Sequence, residues 1–311
     1  MRKVIGAAFV LMASVSGATM AVAEYPERPV SFIEPWPPGD VDDQLLRVVA
    51  EQFTKETGVP AKVVNRPGGY GLEGAASVLS SPADGYTVGS FLIDIPTSYP
   101  ILGIAPYARE DMEVIGLNMN FPFMLAARKD APYNNLAELA AYAKDNPVSF
   151  GHFGFETIPA QQTFEAARQL GFQFSTETGY EATDCTTLGN GDADVINTTV
   201  ALILACKEDI KVLAAYTDKP LSVFPDAPLL KDQMSGATFT LWSGIFVPKG
   251  TPQDVKDKLA GIVERAMQSD GAKQIAETTG AEIYWQGAAE AQARIDADYE
   301  AVKELFAKMK Q

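Results

Sequence analysis

The chain predicts an α/β fold of two lobes with mostly parallel sheets, on three observations. Strand-like and helix-like segments alternate along it. Its 311 residues suffice for two domains of about 120–150 residues, each with its own core. Its strand–loop–helix junctions are rich in Gly and Pro and run straight into helix starts, where open α/β sheets place ligands.

The elements follow in order. Residues 29–33 read as a first strand, and the Pro-rich stretch 35–39 as a loop that no helix tolerates. Asp40 or Asp42 caps a helix carrying Leu45, Leu46, Val49 and Phe53 on one face. Residues 61–65 form a second strand; a Gly-rich turn, a helix over 74–79 and a third strand over 86–92 come next. The grammar then repeats. A strand at 123–127 precedes a helix at 136–144 opened by Asn134 or Asn135, and a strand at 148–150 precedes a loop at 151–157 and a helix at 159–170. A helix begins at 185–188, strands are expected at 195–196, 212–215 and 246–247, and the end is helical over 252–267, 272–277 and 288–309.

Composition narrows the function. At 47% apolar and 21% charged the chain is globular. With 25 Lys and Arg against 40 Asp and Glu it carries −15, which excludes the basic stripe that a nucleic-acid partner needs. One histidine, His152, excludes most hydrolytic triads and His-rich metal sites.

Arg2 and Lys3, an apolar run over 4–13 and Ala21-Val-Ala23 read as a secretory signal cut before Glu24. The run is too short for a membrane anchor, which needs ~18–20 apolar residues. Without Arg2 and Lys3, 23 basic face 40 acidic side chains, a charge of −17. In an exported chain, Cys185 and Cys206 form either a disulfide or two separate buried thiols.

Gly69-Tyr-Gly71-Leu-Glu-Gly74 fits the dinucleotide fingerprint G-x-G-x-x-G. It follows the second strand rather than the first, and export removes the chain from nicotinamide cofactors, so a turn that folds Arg66-Pro67 back is the expected role. P-loop, H-E-x-x-H, G-x-S-x-G and EF-hand patterns are absent, and no cofactor is implied. Asp192-Ala-Asp194 lacks the Gly and Glu of a calcium loop.

Tyr25-Pro-Glu-Arg-Pro-Val30, followed by Pro35-Trp-Pro-Pro-Gly39 with Asp43 and Arg47, resembles the opening of the Bug family, the periplasmic solute-binding proteins of tripartite tricarboxylate transporters. The resemblance continues through Val64-Asn-Arg-Pro-Gly68, Ala83-Asp-Gly-Tyr-Thr87 and Ala137-Glu-Leu-Ala-Ala-Tyr-Ala-Lys144. It resumes at Gly191-Asp-Ala-Asp194, Phe224-Pro-Asp-Ala-Pro228 and Trp242-Ser-Gly-Ile-Phe-Val-Pro-Lys-Gly-Thr-Pro252. It implies a type II periplasmic-binding-protein fold, with 24–122 and 240–311 in one lobe and 123–239 in the other. A small organic acid is then held between them by backbone N–H groups, hydroxyls and waters of two loops, 36–43 and 151–160. The implied protein is a periplasmic monomer and no enzyme, and it docks on membrane permease subunits.

Departures from that pattern bear on the ligand. Asp40 and Glu156 stand where the family has Gly, Ala160 where it has His, and Asp94 where small hydroxyl residues are common. The segment 180–184 is shorter than the family pattern, and no Lys or Arg lies in 34–43, 90–99, 151–160 or 179–186. Carboxylates facing a buried anion repel it. Either these acids cap helices or meet solvent, or the solute is cationic, zwitterionic or bridged by a metal ion such as Ca²⁺. The expected cleft residues are Trp36, Gly39, Asp40, Asp43, Asp94, Gly154, Glu156, Thr157 and Tyr180. Asp43 is expected to fix its loop, Thr157 to donate its hydroxyl and N–H, and Asp40 and Glu156 to set charge preference. Trp36, Phe153, Phe155 and Tyr180 would supply aromatic walls. The rivals are an exported metal-dependent hydrolase using Asp40, Asp94 and Glu156, and a receptor presenting solute to a membrane kinase.

Overall fold

The computed structural model describes residues 24–236 and 238–309; the expected signal segment 1–23 lies outside them. The chain opens with β1 (Val30–Glu34), α1 (Val41–Thr57), β2 (Ala61–Asn65), α2 (Leu72–Leu79), β3 (Thr87–Leu92), α3 (Ser98–Leu102) and β4 (Met112–Asn120). It crosses through Phe121 and Pro122 to β5 (Phe123–Arg128), α4 (Leu136–Ala143), β6 (Ser149–His152), α5 (Ile158–Leu170) and β7 (Thr176–Gly179). From there α6 (Cys185–Gly189), β8 (Val195–Thr199), α7 (Val200–Ile203) and β9 (Ile210–Ala215) complete the second body. The chain returns as β10 (Trp242–Pro248), α8 (Gln253–Met267), α9 (Asp270–Thr279), β11 (Glu282–Gly287) and α10 (Ala288–Met309).

Two sheets result, a six-stranded one in the order β11-β4-β10-β3-β1-β2 and a five-stranded one in the order β7-β6-β8-β5-β9. The two crossings lie side by side, with Phe121 N–H donating to the Leu241 carbonyl at 2.7 Å. Sequence and geometry agree closely in α1. Asp40 caps its first N–H, Val41, Leu45, Leu46, Val49 and Phe53 face the core, and Gly58 ends it at φ +71°, the left-handed conformation glycine adopts freely.

The sheets are more mixed than expected. β1–β2, β1–β3, β6–β7 and β6–β8 pair in parallel, while β10 runs antiparallel to both β3 and β4, β11 to β4, and β5 to β8 and β9. The cause is the double crossing: the returning β10 wedges between β3 and β4 against their direction. β4 also escapes the sequence reading. It is buried continuously from Val114 to Met119 between β10 and β11, so it lacks the alternation that marks a half-buried strand. β7, Thr-Glu-Thr-Gly at a sheet edge, is exposed along its length and carries no apolar signal at all. Cys185 at the start of α6 is bridged to Cys206 beyond α7, beside a small core of Leu188, Ile196, Val200 and Ile203.

Candidate functional site

The carboxyl ends of β1, β3 and β6 converge where the two sheets face each other. β1 runs into Pro35 and Trp36, whose position is set by the Gly-rich turn before α2. Arg66 N–H donates to the Glu34 carbonyl at 2.8 Å. A side chain on Gly74 would lie 2.9 Å from the Pro35 Cα, and Gly71, at φ +92°, lies against the Trp36 ring. The G-x-G-x-x-G run therefore seats this loop by close backbone approach. Its Tyr70 reaches across to the other lobe, where a Cβ on Gly154 would come within 2.8 Å of the Tyr70 ring and one on Gly179 within 2.6 Å of its hydroxyl.

The first lobe gathers acids here. Asp40 accepts from Val41 N–H at 2.7 Å and, across the cleft, from Thr199 Oγ1 at 2.8 Å; burial raises its pKa. Asp43 accepts from Arg47 at 2.8 and 3.0 Å, Asn65 at 2.9 Å and Gly39 N–H at 3.1 Å. Burial raises it, but these bonds outweigh burial and hold the carboxyl below the usual range. Asp42 takes the hydroxyls of Ser90 at 3.1 Å and Ser243 at 3.2 Å and is pushed up to about 6 by burial. Glu34 is 0% exposed and packs against the Asp42 carboxyl and the Trp36 backbone. Burial, then the charge of the facing Asp42 carboxyl and the hydrogen bond between the two, raise it well above the ordinary glutamate value.

Backbone groups and hydroxyls, with one acid, Glu181, characterise the second lobe's side. His152 Nδ1 accepts from Gly154 N–H at 3.0 Å, which leaves Nε2 as the donor toward Glu177. Thr157 closes the turn by donating Oγ1 to the Gly154 carbonyl at 2.7 Å, and α5 starts without a side-chain cap of its own. The missing cap comes from the opposite lobe. Asp94 Oδ1, steadied by Ser98 Oγ at 3.1 Å, accepts from Ile158 N–H at 2.7 Å. A carboxylate at a helix start meets free N–H groups and the positive end of the helix dipole. Burial nevertheless pushes Asp94 up to about 6.

These parts enclose a cavity of about 70 Å³. Of the residues expected from sequence, Trp36, Asp40, Asp43, Asp94 and Thr157 line it; Gly39, Gly154, Glu156 and Tyr180 do not. Tyr180 instead sits against Gly151 and donates to the Asp192 carbonyl at 3.2 Å. Phe153 lines the cavity and meets Trp36 edge-on at 6.3 Å, whereas Phe155 is an exposed ring packed on Phe164. Sequence reasoning missed Glu34 and Asp42, hidden in an apparently ordinary strand end and helix start. It also missed Glu181, an exposed acid on the second lobe's side of the cavity, and Phe121, Phe123 and Leu241 on the crossings. Among the described residues no group of three or more His, Cys, Asp or Glu side chains is placed to hold a metal ion.

A sequence profile described as "TctC: Tripartite tricarboxylate transporter family receptor" matches residues 45–310. A Cupriavidus necator protein, "UPF0065 protein in gbd 5'region", is 27% identical over 274 residues, spanning 83% of this chain and 84% of that one. The periplasmic binding protein BugD superposes with a TM-score of 0.81 at 26% identity, over 91% of this chain and 98% of its own. MatC from Rhodopseudomonas palustris, with bound malate, gives 0.81 at 22% identity over 90% and 99% of the two chains.

Proposed function

The chain belongs to the tripartite tricarboxylate transporter family of receptors, and from that premise we propose that it captures a small organic carboxylate in the cleft between its lobes. It does so in the periplasm and passes the solute, chemically unchanged, to the transporter's membrane permease. The observation that supports this is the Asp94 carboxylate on Ile158 N–H: the mouth of α5 is built to hold an anion, and the chain's own acid shows the fit. Malate bound by MatC, a protein of the same fold, points to the same ligand chemistry.

The acids that sequence reading set against an anion are accounted for within the chain. Asp40 is taken up by Val41 and Thr199, Asp94 by Ser98 and Ile158, and Glu156 lies off the cavity. A cationic, zwitterionic or metal-bridged solute therefore loses its motive. The lobes close as hinged bodies about the crossings at Phe121 and Leu241.

Thermal-shift screening of carboxylates followed by native mass spectrometry tests the reading. A matching acid at 100 times its dissociation constant adds about 2.7 kcal/mol of stability. It should bind one to one and be recovered intact. Conversion of the acid to product would contradict the proposal, as would stabilisation by amines or divalent ions alone.

A further inference from the structure

The chain's one histidine is built into the turn that opens α5. His152 ends β6 and is 1% exposed. Its ring centre lies 5.1 Å from that of Phe150 and 6.1 Å from that of Phe164, and Nε2 meets the Glu177 carboxylate on the edge strand β7. Nδ1 accepts from Gly154 N–H at 3.0 Å, so this nitrogen carries no proton in the folded turn. Gly154 passes the constraint onward. Its carbonyl accepts from Thr157 N–H at 3.2 Å and from Thr157 Oγ1 at 2.7 Å, and Thr157 is the residue from which α5 starts. The next N–H, that of Ile158, holds Asp94, while Gly154 itself, at φ +133°, lies under the Tyr70 ring. One imidazole nitrogen thus anchors a run of hydrogen bonds that reaches a cavity-lining hydroxyl residue and two contacts between the lobes.

Building on the receptor reading above, we propose that His152 is a positioning residue for solute capture: its neutral ring holds the mouth of α5 in place, and a second proton, on Nδ1, releases it. With that proton two N–H groups would point at each other across 3.0 Å, and Gly154 N–H would lose its acceptor. Glu177 accepts from Nε2–H in either state, so the change falls on the Gly154 side of the ring. The other faces of the ring meet Phe150 of β6 and Phe164 of α5. Lys144 and Arg168 line the outer groove with Phe164 and Glu177, and Arg168 is paired with Glu165. Asp42 and Asp94, both pushed up to about 6, also change charge on acidification, but they bond Ser90, Ser243, Ser98 and Ile158 rather than His152. A variant at position 152 separates their effect from that of the ring.

Nitrogen-15 NMR of the purified chain tests this, since a single histidine gives one pair of imidazole signals. At about pH 8 the proton should sit on Nε2; on lowering the pH to about 5 the Gly154 and Thr157 amide signals should follow the ring's own titration curve. In His152→Asn, whose Oδ1 replaces the Nδ1 acceptor but takes up no proton, that component of the two amide curves should vanish. Over the same range, wild-type affinity for malate or adipate should fall at least about fivefold more than that of His152→Asn, and His152→Leu, without an acceptor, should bind weakly throughout. A proton on Nδ1 at the alkaline end would overturn the proposal and needs no variant to detect. So would a ring that gains no second proton across the range, or Gly154 and Thr157 signals that ignore it. Equal affinity profiles for wild type and His152→Asn would overturn it and leave the receptor reading standing. Failure of every carboxylate to bind, with both amides still following the ring, would overturn the receptor reading and leave the proton switch in the turn.

Discussion

The two faces of the cleft solve the same problem with opposite chemistry. The face from β1, β3 and α1 brings side-chain acids: Glu34, Asp40, Asp42 and Asp94. The face from β6, α5 and β8 brings donors: the Ile158 N–H at an uncapped helix start, and the Thr199 hydroxyl. Each is incomplete alone, since buried acids need donors and a helix start needs an acceptor. The difference teaches that closure is chemically specific: Asp94 on Ile158, Asp40 on Thr199 and Tyr70 on Gly154 clasp the lobes at three points.

That contrast can be broken in several places. The largest effect expected lies away from both faces. Replacing Cys185 and Cys206 by Ser removes a bridge between positions 21 apart and should cost about 2–4 kcal/mol in urea unfolding. Solute affinity should stay the same, because the bridge braces a separate small core; a matching loss of affinity would deny that separation. Next in size is Gly154→Ala. Gly154 sits at φ +133° under the Tyr70 ring, so an added methyl strains the backbone by about 1–3 kcal/mol and pushes the lobes apart. Small-angle scattering should show a larger radius of gyration and calorimetry a weakened solute. An unchanged radius would mean that Tyr70 is no latch.

Asp94→Asn sharpens the charge side of the comparison. Asp94 binds its proton more tightly folded than unfolded, being pushed up to about 6 from 3.8. Its contribution to stability is therefore full below pH 3.8 and declines as pH rises to about 6. Asparagine keeps the acceptor for Ile158 N–H without that decline. The variant's stability relative to wild type should climb across this window by roughly 1–3 kcal/mol, followed by thermal unfolding at several pH values. A relative stability that falls with pH would reverse the assignment. The smallest effect belongs to Glu156→Gln: this acid lies off the cavity, and solute affinity should remain within about twofold. A larger change would restore it to the site.

Much of this was readable beforehand, and the failures share a physical cause. The loop 36–43, the cap at Asp40, Thr157 and the start of α5 announce themselves through Pro, Gly and capping residues, which act locally. Asp94 was legible as a departure, yet its partner Ile158 lies 64 positions away, beyond any local pattern. Glu34 reads as the last residue of a strand, and only its packing against Asp42, itself held by Ser90 and Ser243, makes it a buried acid at the cleft floor. Glu156 shows the converse case. Its place inside the second loop, where the resembled family has Gly, suggested a role, but the turn fixed by His152, Gly154 and Thr157 leaves it outside the cavity lining.

The central claim, a solute carboxylate held inside the cleft, is tested most directly on the indole N–H signals of the three tryptophans in a nitrogen-15 labelled sample. Trp242 already donates to Asp298 at 2.7 Å, while Trp36 Nε1 is buried without a partner. On titration with a bound carboxylate, the signal that disappears in Trp36→Phe should move downfield to saturation at one equivalent as its proton gains an acceptor. Saturable binding that leaves that signal in place would contradict the account.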